Sequence, residues 1–262
     1  MPGAANRSAS NVIWFLELNG VNVGAVRSAD FPTPTSLILK IGTGMSKQFY
    51  DWMFRGYLQP RGSVVTTDYS GNVVYRDDWE SGCVTRVEMP PMDAASRESA
   101  YIRSTVRLRG VALNSKQANQ KYTTRSAVTR GISKCNFSLE LDGLDGRHVS
   151  AVSGVTTRRG DILSLEGPAY GAEPVPAPEA RNSQVQLQIL ESKAASFRRW
   201  QQSGNVPKGG SLKYLASDLK TAIFTASFQS LTVAGIVPAV PTNPSEVITI
   251  SLASKFGASI KG

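Results

Sequence analysis

An internal repeat restricts the fold of this sequence more than any other feature. Residues 15–20 read Phe-Leu-Glu-Leu-Asn-Gly, and residues 137–143 read Phe-Ser-Leu-Glu-Leu-Asp-Gly. Both stretches alternate apolar and polar side chains and end in an Asn-Gly or Asp-Gly pair, a pattern typical of a strand that enters a tight hairpin turn. Two halves of the chain therefore begin with the same predicted strand and turn.

The correspondence continues along both halves, and seven elements recur in one order. An alternating strand at 37–41 precedes the aromatic stretch 49–52, and a similar strand at 185–189 precedes the stretch 197–200. Further predicted strands match in sequence order: 64–69 with 212–215, 73–79 with 222–228, 84–89 with 233–238, and 100–108 with 247–252. Self-similarity of this kind indicates two copies of one structural unit.

Each half contains a Phe-x-x-Trp spacing that places two rings on one face of a short helix. The pairs are Phe49 with Trp52 and Phe197 with Trp200. Large rings on one helix face pack against a sheet and stabilise it. We therefore predict two equivalent buried helices, with six structural anchors: Phe49, Trp52, Trp79, Phe197, Trp200 and Phe228.

The pattern predicts an all-β protein with one short helix per domain, built as two tandem β-sandwich or barrel domains. We predict a first domain over 11–110, a basic linker over 111–134 and a second domain over 135–262. The second copy contains an insert over 158–183 that is rich in Pro, Gly and Glu. Such a composition favours an extended loop or arm.

Catalytic and metal chemistry has little support in the sequence. His148 is the one histidine, and neither Cys83 nor Cys135 belongs to a Cys-x-x-Cys pair, so we expect two reduced cysteines and no metal or cofactor site. Asp77 and Asp78 belong to the densest acidic cluster, but adjacent strand residues face opposite sides of a sheet and cannot share a substrate. We therefore predict that the protein is not an enzyme.

The glycine-containing stretch 42–47 is superficially similar to a phosphate-binding loop. It lacks the spacing of such a loop and a preceding buried parallel strand. We predict a strand-to-helix turn here, with Ser46 as the N-cap of the helix.

The chain carries a net charge of +9 with an uneven distribution. Residues 1–134 hold 17 Lys/Arg against 10 Asp/Glu, whereas residues 135–262 hold 12 against 10. The basic linker allows an alternative function, a nucleic-acid-binding β-module. It lacks a series of interleaved aromatic residues and a recognised nucleic-acid motif, which favours a solvated or interface-facing linker. Because the chain has no apolar run of about 18 residues and its N-terminus lacks a secretory pattern, we expect neither membrane insertion nor export.

The order of elements resembles the tail tube protein family of contractile phages and contractile injection systems, whose fold is shared by the Hcp proteins. The stretches 15–23, 36–52, 62–79 and 82–109 match the family pattern, and the second copy matches more loosely, with Arg199 where the first has Asp51. Family members have a long arm before the strand that enters the helix. The first copy has only 27–34 there, whereas the second keeps a longer segment over 158–183.

The resemblance implies a structural subunit of a ring or tube, either the main tube or a hub, initiator or adaptor ring at its end. Its partners would be further copies of itself, neighbouring tube, sheath, baseplate or spike proteins, and the DNA or effector that passes through the lumen. Two domains per chain favour a trimer with pseudo-sixfold symmetry over a hexamer. The expected location is a virion tail or injection particle, assembled in the cytoplasm of the bacterial host.

Overall fold

The computed structural model describes residues 12–55, 58–115, 120–122, 129–158, 183–237, 246–254 and 259–261. Strands dominate, and each half contributes one α-helix, which confirms the predicted all-β class. The elements are β1 (Ile13–Leu18), β2 (Val21–Val26), β3 (Ser28–Thr33), β4 (Ser36–Ile41), α1 (Lys47–Arg55), β5 (Gly62–Thr67), β6 (Val73–Trp79), β7 (Ser81–Glu88), β8 (Met92–Asp93), β9 (Ser99–Ala100), β10 (Ile102–Arg109), β11 (Ala112–Ser115), β12 (Ile132–Ser133), β13 (Phe137–Leu141), β14 (Val149–Ser153), β15 (Thr156–Arg158), β16 (Ser183–Leu190), α2 (Ala195–Gln202), β17 (Lys208–Leu215), β18 (Ala222–Val237), β19 (Val247–Ser254) and β20 (Ser259–Lys261).

The chain divides into two compact units. The first comprises residues 1–87 and 101–131, and the second comprises residues 88–100 and 132–262.

The first unit contains two sheets. One has the strand order β2-β1-β5-β6-β11, and the other contains β3, β4, β10 and β7 side by side. Leu16 and Val64 lie opposite each other on the core face of the first sheet, and Leu39 lies on the core face of the second. The helix α1 follows β4 and precedes β5.

The second unit is built on one eight-stranded sheet. Seven of its strands have the order β13-β17-β18-β19-β16-β14-β8, and the eighth, β20, lies beside β18. The strand β18 is 16 residues long, and its two halves pair with different strands of this sheet. Its first half pairs with β17 and β20, and its second half pairs with β19. One long strand therefore joins two groups of strands that form separate sheets in the first unit.

The two units share their pairing pattern. The pairs β1·β5, β5·β6, β6·β11 and β4·β10 correspond to β13·β17, β17·β18, β18·β20 and β16·β19. The strand β3 beside β4 takes the place of β14 beside β16. Only Glu80 separates β6 from β7, so these two strands correspond to the single β18. The repeat read from the sequence is thus a repeat of strand topology.

The predicted domain boundaries need correction. The segment 88–100 belongs to the second unit, where β8 pairs with β14 and β9 pairs with β12. Residues 101–131 belong to the first unit, so most of the predicted linker lies within that unit. Its strand β11 pairs with β6, and Lys121 forms a bridge with Asn72. Backbone groups of these residues find partners in the sheet, which explains why they do not form a free connection.

Only the first of the two predicted hairpin turns joins a pair of neighbouring strands in the structure. Asn19 and Gly20 both have positive φ, as a two-residue hairpin between β1 and β2 requires. Asp142-Gly143 does not lead into a strand paired with β13, because the Asp142 carboxylate instead accepts a hydrogen bond from the Gly209 backbone N–H. A 3-10 helix, Gly146–His148, follows. Most of the predicted arm, residues 159–182, lies outside the described residues.

Candidate assembly surfaces

The two helices use their aromatic pairs in the same way. Phe49 and Trp52 are buried, with ring centroids 5.8 Å apart in an edge-on arrangement. Phe197 and Trp200 are also buried, with centroids 6.5 Å apart. The Ser46 hydroxyl accepts a hydrogen bond from the Phe49 backbone N–H at 3.3 Å, as the predicted N-cap requires. The aromatic pairs of the two helices therefore fill the interior of their units.

The indole N–H groups of these helices have different partners. Trp52 donates to the carbonyl of Gly82 in β7 at 3.0 Å. Trp200 donates to the carbonyl of Val206, which follows its own helix, at 2.7 Å. The first helix is therefore tied to a distant strand, whereas the second is tied to the chain that leaves it.

Trp79 and Phe228 each lie opposite a glycine on the neighbouring strand. Trp79 pairs with Gly62, and Phe228 pairs with Gly210. Both rings are about 3% exposed. Because glycine has no side chain, the aromatic ring can lie across the backbone of the next strand. This cross-strand pair recurs in both units, and it marks equivalent ends of the two predicted hairpins.

The tips of these hairpins are capped by aspartates and expose one large apolar side chain each. At the β5–β6 tip, Asp68 accepts hydrogen bonds from Asn72, and Tyr69 is 71% exposed. At the β17–β18 tip, hydrogen bonds from Thr221 hold the pKa of Asp218 at about 2, below its usual value. Leu219 there is 59% exposed. Single exposed apolar side chains are common on protein surfaces, so these tips do not by themselves mark a binding site.

A polar network covers part of the outer face of the first sheet. The Arg76 guanidinium forms ion pairs with Glu17 and Asp78 and donates to the Ser63 hydroxyl. The Tyr122 hydroxyl donates to Glu17 at 2.8 Å, and burial together with this bond raises the pKa of Tyr122. Tyr122, a residue of the predicted linker, therefore covers a cluster of charged side chains on the strands.

Tyr122 also covers an apolar cluster on the same face. Its ring centroid lies 5.0 Å from that of Phe15, which packs with Ala25, Val65 and Val73. The segment is held in place because the Tyr122 backbone N–H donates to the Gly71 carbonyl. Sequence reasoning missed this site, because Tyr122 and Glu17 are 105 residues apart along the chain.

Replacing Tyr122 by phenylalanine should lower the free energy of unfolding of the first unit by about 1–3 kcal/mol, because Glu17 loses a charge-assisted hydrogen bond in a half-buried place. Chemical denaturation checks this value. Tyr69→Phe is the matched control, since its hydroxyl belongs to a tip residue that is 71% exposed. Equal stability of Tyr122→Phe and the wild type would show that the bond contributes nothing.

The corresponding face of the second unit is open and hydrophilic. Glu140, the counterpart of Glu17, pairs with Lys213 at 2.6 Å and accepts from the Ser211 hydroxyl. Lys213 and its bond hold the pKa of Glu140 below its usual value. Ser138 and Thr225 lie opposite Lys213 on the neighbouring strands. This face of the hairpin sheet is therefore polar and carries an ion pair between neighbouring strands.

The outermost strands of these sheets have one neighbour each among the described residues. They are β2 and β11 in the first sheet and β13 and β20 in its counterpart. The strand β13 occupies the position of β1, and within the described ranges no strand lies beside it in the position of β2. Val21, on β2, is 54% exposed. Unpaired backbone groups along such edges are templates for pairing with another chain.

The residues considered for catalysis are dispersed. Asp77 lies opposite Val64 on the core face and is 5% exposed, whereas Asp78 lies on the outer face, as predicted. The His148 ring lies 3.6 Å from Asp145 at the surface. Cys83 and Cys135 form no disulfide. The part of the chain that the structure describes contains no group of acidic, cysteine and histidine residues able to hold a metal ion.

Comparison with protein-family models gives no match to this chain, and comparison with curated proteins gives none either. In the described ranges, no helix has the length and apolar character needed to cross a membrane.

Proposed function

We propose that this protein is a structural subunit that forms a ring or tube of a phage tail or contractile injection system, and that it carries out no catalysis. The lumen of the ring would conduct DNA or an effector. The location would be the virion tail or injection particle, with neighbouring tube, sheath, baseplate or spike proteins as partners.

The repeated strand topology is the observation that carries this proposal. Both units place a hairpin, β5–β6 or β17–β18, in the middle of a sheet whose outermost strands lack a second neighbour among the described residues. A unit with an unpaired edge on each side can join head to tail with further units. Such joining closes into a ring when the rotation between units is a simple fraction of a turn.

Two similar units per chain favour three chains in a ring of six units. Their hairpins would form a continuous inner wall, and the polar outer face around Glu140 and Lys213 would be suited to line it. A hexamer of two stacked layers, each made from one unit, is the competing arrangement.

The assembly is tested by electron microscopy and native mass spectrometry of the purified chain. We expect rings or tubes with a mass that is a multiple of three chains. Val21→Lys, on the edge strand β2, should abolish or strongly reduce assembly without unfolding the chain, because it places a charge where another strand would pair. Val206→Lys is the matched control, since Val206 is 64% exposed and lies outside the strands.

A chain that stays monomeric at high concentration and is absent from rings and tubes in its native particle would overturn the proposal. Equal loss of assembly in both lysine variants would show that the edge of β2 is not an assembly contact. Copy number in purified particles separates a main tube, with many rings, from an adaptor with one.

A further inference from the structure

The strand β13 has an outer edge, on the side away from β17, to which backbone groups of two leucines point. The Asp142 backbone N–H donates to the Gly209 carbonyl in β17, so the even-numbered residues along β13 are the ones that bond to β17. Backbone groups of successive strand residues point to opposite edges. The N–H and carbonyl groups of Leu139 and Leu141 therefore point to the outer edge, where a further strand would pair.

The chain that follows β13 covers this edge. The Leu144 backbone N–H donates to the Leu141 carbonyl at 3.1 Å, and the two residues form an isolated bridge. A Cβ atom added at Gly146 would lie 2.2 Å from the Leu139 carbonyl oxygen, so the Gly146 backbone lies directly beside that group. We call residues 144–148 the edge segment, because they occupy the place of a neighbouring strand.

The first unit shows what the same place can hold. Leu18 pairs with Val21 across a two-residue turn, and Leu141 forms its bridge with Leu144 across a turn of the same length. In the first unit the chain continues as β2, which pairs along β1. In the second unit the 3-10 helix Gly146–His148 follows instead. The fold therefore accepts a strand beside β13, and a short helix holds that place.

The edge segment is held mainly by bonds within itself. Its 3-10 helix has no buried residue. The Asp145 carboxylate accepts from the Arg147 backbone N–H at 3.0 Å and forms an ion pair with the Arg147 guanidinium at 2.9 Å. The His148 ring also lies near Asp145, at 3.6 Å. Because segments with few buried contacts open at a low free-energy cost, the edge segment can leave β13 without unfolding the sheet.

Covering a strand edge with a short helix or loop is a known protection against unwanted pairing. The proposed ring, however, requires an edge that pairs with the next subunit. Both requirements are met when the cover is present in the free chain and is removed when a second copy arrives. A weakly held segment at this position fits that sequence of events.

We propose that the edge segment is a displaceable cover that blocks pairing at β13 until a second copy of this chain supplies an edge strand. On association the segment leaves Leu139 and Leu141, and their outward N–H and carbonyl groups bond to the incoming strand. This inference rests on the proposed head-to-tail assembly and names the step that controls it.

Gly146→Ala tests the cover by steric displacement, because a methyl group does not fit beside the Leu139 carbonyl. Sedimentation velocity of the full chain over a series of concentrations measures self-association. We expect the variant to associate at a protein concentration about tenfold lower than the wild type. Gly235→Ala is the matched control, since it makes the same change in the same unit with no atom within 4 Å, and it should associate as the wild type does.

Asp145→Ala weakens the cover in a different way, by removing the bonds to Arg147, and keeps the test valid if Gly146→Ala does not fold. We expect association at a concentration about fivefold lower than for the wild type, as loss of a helix cap predicts. Asp218→Ala is its control, because it removes the same charge and similar turn bonds at the β17–β18 tip. It should leave association unchanged.

Hydrogen exchange of the associated wild-type chain gives a readout that a merely structural role would not move. The amides of Leu139 and Leu141 should exchange more slowly on association, because they bond to the incoming strand. The Leu144 amide should exchange faster, because its bond to the Leu141 carbonyl is lost. Opposite changes at neighbouring positions therefore identify replacement of the cover by a strand.

Equal association of the wild type, Gly146→Ala and Asp145→Ala would overturn the proposal. Rings that form while the Leu144 amide keeps its protection would also overturn it and would leave the proposed function intact. If both loosened variants associate more strongly but no ring or tube appears, the cover is supported and the ring assignment is wrong.

Discussion

Replacing Trp52 by alanine is expected to lower the free energy of unfolding of the first unit by about 3–5 kcal/mol, the range for truncation of a large buried aromatic residue. Trp52 is 1% exposed and packs edge-on against Phe49. Its indole N–H is also bonded to the Gly82 carbonyl, so truncation leaves a cavity and removes the partner of a buried carbonyl.

The loss is measured by urea denaturation, with hydrogen exchange of segments in each unit to assign the transition. Tyr69→Ala is the control, because an exposed ring at a hairpin tip should change the free energy of unfolding by no more than about 0.5 kcal/mol. A Trp52→Ala protein as stable as the wild type would mean that α1 does not hold the first unit together.

Replacing Gly62 by alanine is expected to destabilise the first unit by about 1–3 kcal/mol, as for overpacking of a well-packed interior. A methyl group at Gly62 would meet the Trp79 ring and would lie 2.5 Å from the Glu17 carbonyl oxygen. The carbonyl belongs to the neighbouring strand β1, so relief requires the pairing of β1 and β5 to shift.

Two further glycines make this prediction specific. Gly210→Ala should have a similar effect in the second unit, because its added methyl would lie 2.7 Å from the Glu140 carbonyl oxygen. Gly235→Ala should be neutral or slightly stabilising, since no atom lies within 4 Å of the added group and its φ is ordinary. Thermal and urea unfolding of all three variants measures these changes. If Gly235→Ala lowered the free energy of unfolding as much as Gly62→Ala, the result would contradict the argument.

The short strands β8 and β9 could not be predicted from the sequence, because they carry no local signal. The segment 88–100 follows β7 directly, and the sequence predicted it as part of the first domain. In the structure Met92 pairs with Val152 and is 1% exposed within the second unit. A two-residue strand has no periodicity of its own, so only its partner identifies it.

The polar network of the first sheet also could not be predicted from local sequence. Glu17 and Arg76 come from strands that the sequence predicts well, but their contact depends on the register of β1, β5 and β6. Tyr122 comes from a stretch predicted as a linker. No local pattern distinguishes a tyrosine that covers a sheet from one that faces solvent.

The sequence by itself determined the features that depend on near neighbours along the chain. These are the alternation of β1 and β13, the ring pairs of α1 and α2, the Ser46 cap, and the opposite faces of Asp77 and Asp78. Each follows from the period of a strand or helix, which a short window of residues contains. The recurrence of these windows in one order also indicated two copies of one unit.

The tertiary structure alone decided the unit to which 88–100 belongs, the use of Asp142 as a hydrogen-bond acceptor rather than a hairpin residue, and the contact of Tyr122 with Glu17. Each depends on residues that are distant in sequence and adjacent in space. Strand register sets these contacts, and a shift of one residue would send every side chain to the other face. Register follows from the packing of the whole sheet, so no single stretch of sequence contains it.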